Sequence, residues 1–125
     1  MKKIFLLSIL TLVFLSCDKN KTELIGTYKM TAQYIDPGDG SGDFEPVSSS
    51  RTIEFHSDGT VTSNGNLCDL STDTDESTSG TYDTSDSTLT IQGCENNTIR
   101  FSFDEGILIL FYPCIEACQV KYEKI

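Results

Sequence analysis

From Leu24 to the C-terminus the chain is cut into short pieces rich in Ile, Val, Thr, Tyr and Phe, divided by Gly, Asp, Asn and Ser. Within the pieces apolar and polar residues alternate, and no stretch sustains a helical stripe. A period of two puts successive side chains on opposite faces of a strand, so the pattern predicts an all-β domain. Eight strands are expected, at about Leu24–Ile35, Arg51–His56, Thr60–Ser63, Gly80–Asp83, Thr88–Ile91, Thr98–Phe103, Ile107–Tyr112 and Cys118–Glu123. Most are joined by tight turn signals such as Ser57-Asp58-Gly59. Consecutive antiparallel strands form a meander, and eight of them close into an up-and-down barrel that removes exposed edges.

In a meander the connections alternate between two ends. The tight turns Ser57–Gly59, Thr84–Ser87 and Asp104–Gly106 then share one end, and the long polar loops Asp36–Ser50 and Asn64–Ser79 share the other. Cys68, Cys94, Cys114 and Cys118 also fall at the long-loop end. Four cysteines gathered at one rim are expected to make two disulfides; the spacing lacks the two close pairs of a zinc site. The fifth and seventh connections lie side by side, which predicts Cys94–Cys114 with Cys68–Cys118.

The N-terminus tells a separate story. Met1-Lys2-Lys3 is basic, Ile4–Leu15 is an almost unbroken apolar run, and Leu15-Ser16-Cys17 closes it. The run is shorter than the roughly 20 residues that span a bilayer. Its order is that of a cleaved secretory signal, and the cysteine at the cut resembles a bacterial lipoprotein signal, in which the thiol carries the lipid. Three segments are therefore expected: a signal peptide at 1–16, a lipidated tether at 17–23 and a barrel domain at 24–125. Cys17 is the expected lipid anchor, and the expected location is the extracytoplasmic cell envelope, on the outer membrane. The chain carries a net charge of −10. Such an acidic surface excludes nucleic acid as a partner, because phosphates are bound through Lys and Arg. It also repels anionic head groups, leaving the lipid on Cys17 to hold the protein at the membrane.

Several motifs resemble one family as a set. Gly26-Thr27-Tyr28 is similar to the Gly-x-Trp opening of lipocalins, with Tyr28 in the Trp position. The stretches D-P-G-D-G-S-G from Asp36, T-I-E-F-H-S-D-G-T-V-T-S-N-G-N-L-C from Thr52, S-G-T-Y from Ser79 and P-C-I-E-A-C-Q-V-K-Y-E-K from Pro113 resemble the lipocalin-like lipoproteins of the Bacteroidetes. The resemblance implies an eight-stranded lipocalin-like barrel of the small calycin type, on an exported lipoprotein.

No enzyme is expected. His56 is the only histidine, and alternation puts it on the outer face beside a hairpin. The domain cysteines are expected to be oxidised and so lost as nucleophiles. Asp36, Asp39, Ser41, Asp43 and Glu45 offer calcium-type oxygens. In a calcium loop read from Asp39, however, Phe44 and Ser50 stand where glycine and glutamate are needed. Asp69, Asp73, Asp75 and Glu76 likewise lack a spacing that closes a cage. No metal and no cofactor is expected. Two function classes stay open: a binding module and an interaction protein. The first holds a small hydrophobic ligand against Tyr28, Met30, Phe55, Phe101 and Phe103. The second is a structural or inhibitor-type lipoprotein with a filled barrel whose long loops bind a protein partner.

Overall fold

The computed structural model describes residues 19–95, 98–114 and 118–125. The expected signal peptide and Cys17 lie outside the described residues. A short helix, α1 (Lys19–Leu24), precedes nine strands: β1 (Gly26–Ile35), β2 (Asp43–Pro46), β3 (Thr52–Phe55), β4 (Thr60–Ser63), β5 (Thr78–Asp83), β6 (Thr88–Ile91), β7 (Thr98–Asp104), β8 (Ile107–Tyr112) and β9 (Cys118–Lys124). Every pairing is antiparallel, and β1 meets β9 to close the ring.

The barrel has eight positions because β2 and β3 share one. Gly26–Lys29 of β1 pairs with β3, while Ala32–Ile35 pairs with β2, so one long strand serves two short neighbours in turn. Its other edge runs along β9, with a register shift between Met30 and Ala32 that bends the strand around the barrel. The strand β2 corrects the expectation of a loop over Asp36–Ser50. Its only large apolar side chain, Phe44, packs edge-on against Tyr34 at 5.5 Å, with the Lys121 ammonium 5.4 Å from its ring. A lone aromatic beside a proline carries no period-two signal, so only the pairing partner reveals the strand.

A second correction concerns Lys19–Leu24, expected as tether and first strand. Here the chain makes a six-residue helix that caps the tight-turn end of the barrel. Leu24 is buried, and its carbonyl accepts the Tyr28 hydroxyl at 2.7 Å. Lys124 Nζ donates to the Glu23 carbonyl at 2.9 Å. The hairpin at Asp104–Ile107 needs two residues with positive φ, Glu105 at 46° and Gly106 at 81°, the conformation that matches strand twist in a two-residue turn.

Alternation places the core as expected along most strands. Tyr28, Met30, Ile53, Phe55, Val61, Leu89, Ile91, Ile99, Val120 and Tyr122 are all buried in one cluster. Leu108, Leu110 and the loop residue Leu67 join them.

Both disulfides lie at the long-loop rim, but their partners differ from expectation. Cys68 bonds Cys94, and Cys114 bonds Cys118, with Cα separations of 5.3 and 6.1 Å. Two local effects explain the exchange. Leu67 is drawn into the core, which anchors its exposed neighbour Cys68 at the rim, within reach of Cys94 in the next connection there. Cys114 and Cys118 flank the same hairpin, and the pairing of Tyr112 with Cys118 brings them into bridging range without help. The two bridges close chain segments of very different length, 26 and 4 residues of separation. Loop-closure entropy then predicts a loss of about 3–4 kcal/mol for the Cys68→Ala/Cys94→Ala double variant and about 2 kcal/mol or less for Cys114→Ala/Cys118→Ala. Denaturant unfolding of both variants checks the order; the reverse order would count against it.

Candidate functional site

The most unusual side chain in the barrel is Arg51, which is 0% exposed. It lies just before β3, on the inward face shared with Ile53 and Phe55. Its guanidinium reaches up to the loop that joins β4 to β5. Nη2 donates to the carbonyls of Asn66 at 2.6 Å and Asp69 at 3.2 Å, and Nη1 donates to the carbonyl of Ser71. The Asp69 carboxylate stands 3.8 Å away and is half exposed. The Arg51 stem packs tightly against Gly65, where an added Cβ would meet Cδ at 2.8 Å and Cγ at 2.9 Å. Further bonds tie the loop to the barrel wall. Gln33 donates to the Leu70 carbonyl, Ser49 to the Thr72 carbonyl at 2.7 Å, and Thr78 to the Gly65 carbonyl at 2.8 Å.

That loop forms one wall of a cavity of about 810 Å³ at the disulfide rim. All four domain cysteines line it, with Leu70, Ile99 and Tyr112 as its apolar surface. Asp69, Glu76 and Glu95 stand around it. Tyr112 lines the cavity, and its hydroxyl is closed from solvent beside Tyr122 and the Arg51 guanidinium. Arg51, Leu70 and Tyr112 were not among the expected site residues. For Arg51 and Tyr112 the signal was present, because each has the same parity as an inward neighbour (Ile53 and Leu110).

The expected ligand-lining residues lie elsewhere. Tyr28 and Phe55 are packed into the tight-turn half of the barrel, Met30 is buried level with Arg51, and none of the three lines the rim cavity. Phe55 packs against Tyr28, Tyr82 and Phe101 with ring centroids 5.8, 5.1 and 5.9 Å apart, and Phe103 stands 6.0 Å from Tyr28. Phe101 and Phe103 also edge a smaller groove of about 420 Å³ at the capped end, beside Leu24 and Glu105. A cluster of bulky edge-to-face rings fills this half, as small eight-stranded barrels allow.

His56 sits on the outer face, its Nε2 3.0 Å from Thr62 Oγ1 and its Nδ1 3.7 Å from Glu54. In the Asp36–Asp43 loop the carboxylates serve the backbone. Asp36 accepts from the Gly38 and Gly40 amides, and Asp39 from the Ser41 amide and hydroxyl. Those bonds hold the Asp39 carboxyl below its ordinary range. Among the described residues no group of three or more His, Cys, Asp or Glu is placed to hold a metal ion, and no helix is long and apolar enough to cross a membrane.

Burial also dominates the tyrosines. It pushes Tyr28 and Tyr122 up to about 12 and raises Tyr112, while the Arg51 charge partly opposes the rise at Tyr112 and Tyr122. In the unfolded chain these groups ionise near the ordinary 10.0. Between about pH 10 and 12 the folded state therefore binds more protons, and stability must fall as pH rises through that window. The expected result is a tyrosinate absorbance titration in which the buried tyrosines ionise only as the circular dichroism of the fold is lost. Ionisation of all five tyrosines in one step at the ordinary value, with the fold intact, would contradict it.

No curated protein and no solved structure matches the chain. The model of the lipocalin-like domain family matches residues 24–110, from the buried leucine of α1 through most of β8. A closed antiparallel barrel with almost no helix and two disulfides agrees with that match, and the chain belongs to the lipocalin-like domain family.

Proposed function

We propose that this protein is an extracytoplasmic lipoprotein, anchored through lipid on Cys17, whose barrel holds a small amphipathic molecule in the rim cavity. The observation that carries the binding reading is the cavity itself. Its volume of about 810 Å³ lies within the roughly 300–1,000 Å³ of small-molecule sites. Its lining joins apolar surface at Leu70, Ile99 and the cystines with a few polar groups, the mixture that recognises an amphipathic ligand. The position differs from the expected aromatic pocket: the ligand occupies the half of the barrel that the rings leave free.

No catalytic step belongs to this reading. The four domain cysteines are paired and His56 is engaged on the outer face with Thr62. The chain enters the barrel at its tight-turn end, through α1 and Gly26. A lipid on Cys17 then sets that end toward the bilayer and turns the cavity outward, to the cell envelope's aqueous phase.

The second reading, a scaffold whose long loops bind a protein partner, draws on the ring cluster that fills half the interior. Native mass spectrometry of protein purified from its own host separates the two. The binding reading expects a small molecule that co-purifies and is released on denaturation. A mass equal to the lipidated chain alone, with one protein captured in stoichiometric amount, would replace it with the scaffold reading. Cys17→Ala tests the anchor: the variant is expected to move from the membrane fraction to the soluble envelope fraction, and membrane retention would refute it.

A further inference from the structure

Strand β8 reads Ile-Leu-Ile-Leu-Phe-Tyr, an unbroken apolar run. Such runs belong to strands covered on both faces, whereas a wall with one face in water alternates. The inner face of β8 is covered, since Leu108 and Leu110 are 0% exposed. Its outer face is not: Ile107 is exposed, and Ile109 and Phe111 are half-buried. The opposite wall obeys the rule. There β4 and β6 turn Thr60, Thr62, Thr88 and Thr90 outward, against buried Val61, Leu89 and Ile91. Single apolar side chains on a surface mean little, but three in line on one strand form a contiguous patch of the kind that marks interfaces. We propose that a second copy of this chain covers the patch, through a two-fold contact in which the β8 strands of the two barrels stack antiparallel.

The charges beside the stripe select the occupant. On β7, Arg100 stands beside Phe111, Ser102 beside Ile109 and Asp104 beside Ile107, and all three β7 residues are exposed on the outer face. On β9, Gln119 stands beside Phe111, Lys121 beside Ile109 and Glu123 beside Ile107. A two-fold axis crossing the strands at Ile109 reverses this order in the second copy. Ile109 then meets its own copy, Ile107 meets Phe111, Arg100 meets Asp104, and Gln119 meets Glu123. An isologous contact requires such reciprocity, because whatever a residue touches must touch it in return. Strands rise roughly 3.3 Å per residue, so Arg100 to Asp104 and Ile107 to Phe111 both span about 13 Å and the pairs close together. Among the described residues neither Arg100 nor Asp104 makes an ion pair. Lys121 would face its own copy near the axis, but its ammonium is drawn aside over the Phe44 ring, at 5.4 Å. A partner of uniform charge, such as an acidic protein or an anionic membrane, would satisfy Arg100 and be repelled by Asp104.

The same arrangement suits two chains anchored through Cys17. Strands of a small barrel tilt roughly 35–45° from its axis, so antiparallel β8 strands set the two barrel axes roughly 90–110° apart. Both tight-turn ends then lean the same way along the two-fold axis, and that axis can stand normal to a shared bilayer. Barrel walls are convex, so the contact is small, below about 1,200 Å² in total and at the low end of specific interfaces. Tethering both copies to one surface raises their effective concentration and makes a weak contact sufficient.

The test uses the full mature chain purified from its host, carrying a donor or an acceptor dye at the C-terminus and mixed across the micromolar range. Energy transfer is expected to rise with concentration and to saturate at one partner per chain. Ile109→Glu is expected to abolish it. Arg100→Asp and Asp104→Arg are each expected to weaken association at least about tenfold, since each sets like charges face to face. Mixed with one another, those two variants are expected to regain it, because each supplies the charge that the other lacks. That recovery requires folded chains, so the charge pair keeps the test sharp even where Ile109→Glu fails to fold. Wild-type chains that stay monomeric throughout the range would overturn the proposal. So would association that folded Ile109→Glu leaves unchanged, or charge variants that associate like the wild type or do not recover on mixing. Capture of one host protein, or of vesicles, by this face in place of self-association would assign it to that occupant and overturn the dimer. The readout needs neither a ligand in the rim cavity nor lipid on Cys17, so its failure leaves the binding and anchor readings standing.

Discussion

Arg51→Ala is expected to lower the unfolding free energy by about 3–5 kcal/mol, the largest effect of any single polar substitution in this protein. The guanidinium is fully buried and donates to three loop carbonyls. Hydrogen bonds from a charged group contribute about 1.5–3 kcal/mol each, and carbonyls stranded without a partner add to the loss. Alanine also leaves a hole where the arginine stem packs against Gly65. The loop from Asn66 to Ser71 should loosen first, because its carbonyls lose their common donor. For a domain of this size the melting temperature should fall by roughly 15–30 °C. Thermal unfolding checks the magnitude, and hydrogen exchange in that loop checks the place. A loss under about 1 kcal/mol would show that the loop holds its shape without Arg51. Arg51→Met restores most of the volume but none of the bonds, so its deficit measures the bonds alone.

Gly80→Ala should be as damaging, by a different route. Gly80 lies inside the barrel wall on β5, opposite Ile91 of β6. A Cβ there would collide with the carbonyl oxygen of Thr90, and would stand 2.9 Å from its carbonyl carbon and 3.0 Å from Ile91 Cα. These are backbone atoms of the neighbouring strand, so no side chain can swing aside. Relief requires opening the β5–β6 ladder, and a loss of about 4 kcal/mol or more is expected. Gly93→Ala serves as a control. It has positive φ at 85° but nothing within 4 Å, so its cost is backbone strain alone, about 1–2 kcal/mol. Equal losses at the two positions in denaturant unfolding would mean that the wall yields to the extra methyl.

The barrel was legible because its signal is local and repeated. Thr60–Ser63, Thr88–Ile91 and Ile107–Tyr112 form strands over the residues that alternation and turn chemistry mark out. The loop between β4 and β5 and all four cysteines do gather at one rim, where Ser49 bonds to the Thr72 carbonyl. What failed needed distant information. Strand β2 exists only because the second half of β1 extends past β3 and offers a free edge. The disulfide partners turn on how far Leu67 sinks into the core, a packing event that no spacing encodes. Arg51 is the instructive case. Period-two parity places it inward with Ile53 and Phe55, yet a charged residue at a strand's edge is ordinarily solvated. Its burial follows from three carbonyls supplied by a loop fifteen to twenty residues further on.

The candidate site divides along the same line. Aromatic residues at inward positions read as ligand-lining from the sequence, since alternation assigns a face but not a filling. In three dimensions Tyr28, Phe55, Tyr82, Phe101 and Phe103 meet ring to ring and occupy the capped half. The space that remains lies at the disulfide rim, walled by loop residues with no periodic pattern at all.

Sequence alone determined the class, the closure and the polarity of this barrel, with its tight-turn end and its cysteine rim. Those properties depend on turn residues and on side chains two positions apart, and neighbours along the chain settle them. Tertiary structure decided which cysteines pair, where the interior is filled and where it is open, and that a buried arginine underlies the open end. Those depend on how loops of different length fold back over one mouth, and so on contacts between residues far apart in the chain.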